Sequence, residues 1–359
     1  MALPFLIQQK KRIDQVVAID LGARQTKAVR VQRKQERLSL LGYTVLEAPS
    51  REKGLKVPVL ADHLKKVFEP LGEGSYEIAL AVGYPEAFLR RAELPPMPIP
   101  DMRQMLRLNS KTYLQQDFPD HVFDCAVIVS KMEPEKTQVP KPPQDAGPTK
   151  QKLLVGGIKR QALDDLKAAC KAAGVLAHQI TPGMAGPVNA FEAAEPDLFA
   201  REVLALVDIG FKNTTITMLN HGEVVMNRVV ALAGDHLTAS LVEARGITYT
   251  EAESLKIGSA EDVQQALEPV LASLGRELRA SVDFFEHQHD VTVNRIFMSG
   301  GSVGNEFILH SLQRELMMTC NTWNPAQRLQ LSLPIEQRAG LEQVAPLLAV
   351  VIGTAVAVF

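Results

Sequence analysis

An apolar strand that ends in Asp-x-Gly occurs twice in this chain, as Ala18-Ile19-Asp20-Leu21-Gly22 and as Leu206-Val207-Asp208-Ile209-Gly210. Each copy opens a run of strand-like segments. Val16 to Leu21, Lys27 to Arg33 and Leu38 to Val45 follow one another across the Gly22 turn and the polar Gln32 to Arg37 stretch. Val203 to Ile209, Thr214 to Leu219 and Val224 to Val230 repeat that order, with His221-Gly222 as the hairpin turn. One Asp-x-Gly is an ordinary turn. Two in matched context imply one structural unit used twice, the signature of a two-lobed α/β core of the kinase-like or actin-like kind with nucleotide between the lobes.

Between the repeats, the stretch Tyr76 to Ile180 has a different grammar. Strands are expected at Glu77 to Val82, Phe88 to Leu94, Phe123 to Ser130 and Leu153 to Ile158, and helices around Asp101 to Gln115 and Gln161 to Ala173, a mixed order that suggests an α+β subdomain inserted into the first lobe. Within it, Glu133 to Lys152 is rich in Pro, Lys and Gln and reads as a solvent-exposed, mobile loop. Helices follow at Gly234 to Gly246, Thr250 to Ile257 and Asp262 to His289, then a buried strand at Arg295 to Ser299, a helix at Asn305 to Met317 and a last helix at Leu341 to Val358. The expected division is a first lobe of residues 1–75, completed by 177–202 and 335–359, an inserted subdomain of 76–176 with its loop at 133–152, and a second lobe of 203–334.

Composition removes several function classes. With 46% hydrophobic and 22% charged residues, the chain can bury a large core. Lys plus Arg (39) nearly balances Asp plus Glu (41), which gives no support to a nucleic-acid or lipid-gripping face. The three cysteines, Cys125, Cys170 and Cys320, lie far apart without CxxC spacing, so neither a disulfide framework nor a zinc site is expected, and a reducing cytoplasm fits. Met1 to Arg12 places its apolar residues before its charges, the reverse of an export signal. Leu347 to Phe359 is the most apolar run, but it is shorter than the roughly 18 residues a membrane span needs, and it reads as a buried helix.

The chemistry-bearing residues follow from the two hairpins. Asp20 and Asp208 stand at strand ends, where a carboxylate can hold the water shell of Mg²⁺, while Gly22 and Gly210 let the turn backbone approach phosphate. Lys27 begins the next strand, from where an ammonium can reach back to a β-phosphate, and Thr26 and Arg24 can add donors; on spacing alone Lys27 reads rather as a surface strand lysine, and only the resemblance given below favours a phosphate role. Ser299-Gly300-Gly301-Ser302 links a strand to a helix and can pass close to a flat ring or a phosphate. Glu253 and Lys256, one helical turn apart, face either a ribose and adenine or simply solvent.

Several runs together resemble the PilM family, which is related to FtsA. These are Val207-Asp-Ile-Gly, Ala233-Gly-Asp-His-Leu-Thr-Ala-Ser-Leu, Gly246-Ile-Thr-Tyr-Thr-Glu-Ala-Glu-Ser-Leu-Lys, and Leu274 to Phe285 followed by Arg295-Ile-Phe-Met-Ser-Gly-Gly. Val82 to Pro95 and the helix after Pro100 are similar to that family's inserted subdomain. The resemblance implies an actin-like fold, a duplicated ribonuclease H-like core with lobes 1A and 2A/2B and an inserted α+β subdomain, 1C. It places a first phosphate motif on Asp20, Gly22 and Lys27, a second on Asp208, Gly210 and Thr214, and an adenosine motif on Gly300 and Gly301 with Glu253 and Lys256 on the nucleoside side. It implies ATP and Mg as ligands, with Asp20 and Asp208 holding the metal through water. It further implies a cytoplasmic protein that is peripheral at the inner membrane and recruits the N-terminal tail of a PilN-like membrane protein, alongside other inner-membrane components of pilus or type II secretion assembly.

Two departures bear on activity. Phe211 and Lys212 stand where the superfamily often has small residues, and Gln179 to Ala190, where it often has a water-orienting acid or amide, contains no Asp or Glu. At most slow ATP hydrolysis is expected. A nucleotide-independent scaffold is the main alternative; an FtsA-like filament protein and a small-metabolite kinase are weaker ones.

Overall fold

The computed structural model describes residues 13–49, 56–128, 150–257 and 261–359. The Met1 to Arg12 segment and nearly all of the Glu133 to Lys152 loop lie outside the described residues.

The first sheet is built on β1 (Gln15–Leu21), β2 (Gln25–Lys34) and β3 (Arg37–Glu47), an antiparallel meander extended on one side by the parallel strands β4 (Glu77–Val82) and β8 (Ala177–Pro182) and on the other by the short β14 (Gln330–Leu331). Val16, Val17, Ala18 and Ile19 are wholly buried, as expected for a central strand covered on both faces. The second sheet repeats the plan. There β9 (Val203–Ile209), β10 (Thr214–Asn220) and β11 (Glu223–Val230) form the meander, and β12 (Arg295–Gly300) and β13 (Cys320–Thr322) add in parallel. The duplication read from two Asp-x-Gly turns is therefore a duplication of topology. His221 and Gly222, both with positive φ, make the β10–β11 turn.

The third sheet is antiparallel, in the order β5 (Ala87–Leu94), β7 (Gln151–Lys159), β6 (His121–Val127). It has its own small core, in which Leu94, Phe123 and Leu153 pack on Met102 and Leu106 of α2 (Ile99–Leu108). The helix expected over Asp101 to Gln115 is two, because Asn109 leaves helical geometry (φ −134°, ψ 39°) before α3 (Ser110–Leu114). A second difference concerns Glu77 to Val82, which the sequence reading assigned to the insertion. That strand, β4, lies inside the first sheet between β1 and β8. Its Ile78-Ala79-Leu80-Ala81-Val82 run is apolar without alternation and buried throughout, the pattern of a two-sided central strand.

Helices cover both main sheets. On the first, α1 (Val57–Phe68) packs against α4 (Arg160–Ala172), a helix the sequence reading gave to the insertion but whose Leu163, Leu166 and Ala169 join the first lobe's core, and α5 (Ala185–Ala194) leads into the short α6 (Pro196–Arg201). On the second, α7 (Gly234–Arg245) and α8 (Tyr249–Ile257) precede α9 (Glu261–His289), whose Leu267, Leu271, Leu274, Leu278, Val282 and Phe285 recur at helical spacing and are essentially fully buried; α10 (Glu306–Leu316) packs alongside.

The C-terminal helix is not continuous. Pro346 lacks the N–H that a helical ladder needs, and a 3₁₀ turn at Ala345–Leu348 separates α11 (Ile335–Val344) from α12 (Ala349–Val356). Counted together with α11, Ile335–Val356 meets the length and hydropathy of a membrane span, with 22 residues against the shorter run expected. Packing accounts for that character: Val351, Ile352 and Ala355 are fully buried where α12 lies on β1, β2, β4 and α5. The α5–α12 contact is backbone on backbone, since a Cβ on Gly353 would stand 1.7 Å from the Gly186 carbonyl oxygen. Gly353→Val is accordingly expected to destabilise the fold by more than about 3 kcal/mol in urea unfolding. A variant as stable as the parent would show that the two helices can separate at no cost.

Candidate functional site

The two Asp-x-Gly turns face each other across a cleft of about 670 Å³ between the sheets. Asp20, Gly22, Lys27, Asp208, Gly210, Glu253, Lys256, Gly300 and Gly301 all line it. Residues far apart in the chain are gathered because Asp20, Asp208 and Gly300 lie at strand ends, Gly22 and Gly210 turn the chain out of two of those strands, Lys27 is near the start of β2, and Glu253 and Lys256 lie on α8.

On the first lobe, Asp20 and Lys27 are direct partners across the β1–β2 pair, so their side chains share a face, and Lys27 Nζ donates to Asp20 Oδ2 at 2.8 Å. The hairpin register thus turns a sequence spacing into an ion pair at the cleft wall. On the second lobe, the position next to Asp208 on β12 is Ser299, whose hydroxyl donates to Asp208 Oδ1 at 2.8 Å. Burial raises the Asp208 carboxyl above the usual range; the Ser299 hydroxyl and the Lys27 ammonium oppose this, and the negative charge of Asp20 adds to it. Lys27 thus pairs with Asp20 and also favours the charged form of Asp208.

The turns themselves are closed by backbone. Gly210 N donates to the Asn213 carbonyl at 3.1 Å, and the Gly210 and Phe211 carbonyls accept from Gly234 N and Asp235 N at the start of α7, so the second turn is docked on a helix N-terminus. Gly300 has φ 102°, and a Cβ there would lie 2.2 Å from the Ile209 carbonyl oxygen. Only glycine permits the strand-to-helix turn to pass so close to the second Asp-x-Gly.

Thr214 is not in the cleft. Its fully buried hydroxyl donates to the Leu232 carbonyl at 2.6 Å, tying β10 to the segment before α7. Strand alternation turns the next residue, Thr215, to the opposite face; Thr215 is the direct partner of Asp208 and lines the cleft in its place. Thr26 likewise faces inward: it is 1% exposed and its hydroxyl lies 2.8 Å from His63 Nε2 on α1.

Glu253 and Lys256 form a buried network rather than a solvated face. Lys256 Nζ donates to Glu253 Oε1 (2.7 Å), Thr238 Oγ1 (2.8 Å) and the Gly234 carbonyl (3.1 Å), and Thr238 also donates to Glu253. Those bonds use every donor an ammonium has. Lys256 thus fixes α8 on α7 and orients Glu253, whose second oxygen faces Arg24 at 3.7 Å. Burial lowers the Lys256 pKa, with Glu253 working in the opposite direction.

Sequence reasoning did not foresee an aromatic wall on the second lobe. Phe211 and Tyr249 meet edge to face at 6.4 Å, and Asp235 accepts both from Lys212 Nζ at 2.6 Å and from the Tyr249 hydroxyl. Nor did it foresee Gly83, Tyr84, Met184, Pro187 and Leu347 in the lining. Thr215 was accessible from alternation alone; Tyr249 belongs to a pairing that spacing does not encode. The connecting stretch lends the cleft only Met184 and Pro187, neither of which can take a proton.

The groups at the two turns suit a magnesium–polyphosphate: the Lys27 ammonium, the Asp20 and Asp208 carboxylates able to hold metal-bound water, and a glycine in each turn. Comparison with known proteins agrees with the architecture. A solved structure described as a PilM-PilN type IV pilus biogenesis complex superposes with a TM-score of 0.80 at 20% identity, covering 97% of this chain and 98% of that one. MreB5 of Spiroplasma citri bound to AMPPNP matches at TM-score 0.53 and 13% identity over 96% of each chain, which places the fold among the actin-like proteins. The ethanolamine utilization protein EutJ of Escherichia coli (strain K12) is 28% identical over 109 residues, 30% of this chain and 37% of that protein's length. The family model for type IV pilus assembly protein PilM matches residues 142–359, more than half of the chain, and the chain belongs to that family.

Proposed function

We propose that this protein is a nucleotide-binding platform of type IV pilus assembly that sits at the cytoplasmic face of the inner membrane and recruits the N-terminal tail of a PilN-like membrane protein. The observation that carries the nucleotide reading is the convergence of both Asp-x-Gly turns, Lys27 and the Gly300-Gly301 turn on one cleft. Lys27 would meet the phosphates, Asp20 and Asp208 would hold magnesium through water, and the Gly300-Gly301 turn with the Glu253 side would take the nucleoside. When bound, the metal would neutralise the phosphates and the facing carboxylates. Slow turnover is expected because Gln179 to Ala190, the stretch joining the lobes, brings only Met184 and Pro187 to the cleft, and neither can activate water. Phosphate release is expected well below the roughly 1 per second of ordinary enzymes.

For the tail, support comes from the family and from a second groove of about 860 Å³, walled by Phe88 and Phe118 of the inserted unit and by Arg160 of the first lobe. Phe88 and Phe118 stack at 4.2 Å and offer apolar anchors of the kind a peptide that orders on binding requires. Tyr84, Lys159, Gln161 and Met184 line both groove and cleft, so a nucleotide that favours one lobe arrangement would alter the groove. A fluorescently tagged copy should leave the membrane when the partner's cytoplasmic tail is deleted. Retention at the membrane without that tail would defeat the recruitment reading.

A further inference from the structure

Arg24 occupies the first Asp-x-Gly turn but touches the second lobe. Its guanidinium lies 5.5 Å from the Phe211 ring centroid and 5.8 Å from that of Tyr249, and its Nε is 3.7 Å from Glu253 Oε2. Its main chain is fixed, since the Arg24 carbonyl accepts from Ala48 N–H at 2.7 Å. The side chain is 31% exposed.

Each second-lobe contact is weak. A separation of 3.7 Å exceeds a direct hydrogen bond, and Glu253 is already bonded by Lys256 and Thr238. Cation–π attraction at a partly exposed site is modest. Stacking also engages only the face of a guanidinium and leaves its edge, a fork of N–H groups, for an anion. A phosphate accepts such a fork with two parallel charge-assisted bonds, the strongest pairing open to arginine. Lys27 of the same turn already faces the cleft, so an entering polyphosphate would pass within reach of both cations.

We propose that Arg24 is a further nucleotide-binding residue, held beside the cleft by Phe211 and Tyr249 and exchanging Glu253 for a phosphate oxygen of the bound nucleotide. This rests on the nucleotide reading given above. On this view Phe211, an unusually large residue for a phosphate turn, is the platform that presents Arg24, and the exchange draws the first turn against the second lobe.

Calorimetric titration with Mg-ADP, paired with thermal melting without nucleotide, tests it on the full chain. The parent must bind Mg-ADP; if it does not, the underlying nucleotide reading falls and this proposal with it. Given parental binding, Arg24→Ala is expected to weaken Mg-ADP by about tenfold or more while leaving the melting temperature without nucleotide unchanged. Arg24→Lys, which keeps the charge but loses the planar fork, should recover only part of the affinity. Unchanged Mg-ADP affinity in Arg24→Ala, or weaker binding accompanied by a lower melting temperature, would show that Arg24 merely clips the lobes together.

Discussion

Asp208→Asn should weaken Mg-nucleotide binding by about 100-fold or more, the expected cost of removing one charged partner of a magnesium–phosphate group at a half-buried site. The same variant should melt no lower than the parent. The introduced amide would keep an oxygen for the Ser299 hydroxyl, now at 2.8 Å from the carboxylate, so the structural bond survives. What disappears is a half-buried negative charge near that of Asp20, the conditions that raise the Asp208 carboxyl. An unfavourable arrangement kept in the folded protein is what a ligand site looks like when function and stability pull apart. Calorimetry and melting together check this; a variant that binds normally would mean the cleft does not use Asp208.

Lys256→Met makes the opposite kind of prediction. The lysine is 5% exposed and its ammonium is bonded to Glu253, Thr238 and the Gly234 carbonyl, so its loss leaves a buried carboxylate without its counter-charge. A loss of about 3 kcal/mol or more is expected in urea unfolding, in the range found when one partner of a buried pair is removed. Adding Glu253→Gln to Lys256→Met should return a large part of that loss, because the uncompensated charge is then gone. If the double variant is less stable than Lys256→Met alone, the network holds α7 and α8 by some means other than charge pairing.

These residues also show what sequence can and cannot reveal about such a chain. The duplicated meander was legible because strand ends, glycine turns and register are local: Asp20 and Lys27 face one another as soon as the β1–β2 hairpin closes. The place of β4 was not legible, since a short apolar run carries no mark of which sheet it will join. Thr214 and Thr215 differ only in facing, and the resemblance to a family motif pointed to the one that turns away from the cleft. Glu253 and Lys256 were recognisable as a pair on one helix face, but Thr238 and the Gly234 carbonyl, which complete their network, arrive from another helix. The contact of Arg24 with Phe211 and Tyr249 depends on how the lobes meet, a long-range arrangement that no motif records.

Both Asp-x-Gly turns should serve a single nucleotide, and titrating the intact chain with Mg-ATP in a calorimeter decides whether they do. Saturable binding of one nucleotide per chain is expected, lost on chelating the magnesium and strongly weakened by Asp208→Asn, with little phosphate released over the course of the titration. No heat and no shift in melting temperature at millimolar Mg-ATP would contradict it, and would leave a scaffold that retains the shape of the site without its ligand.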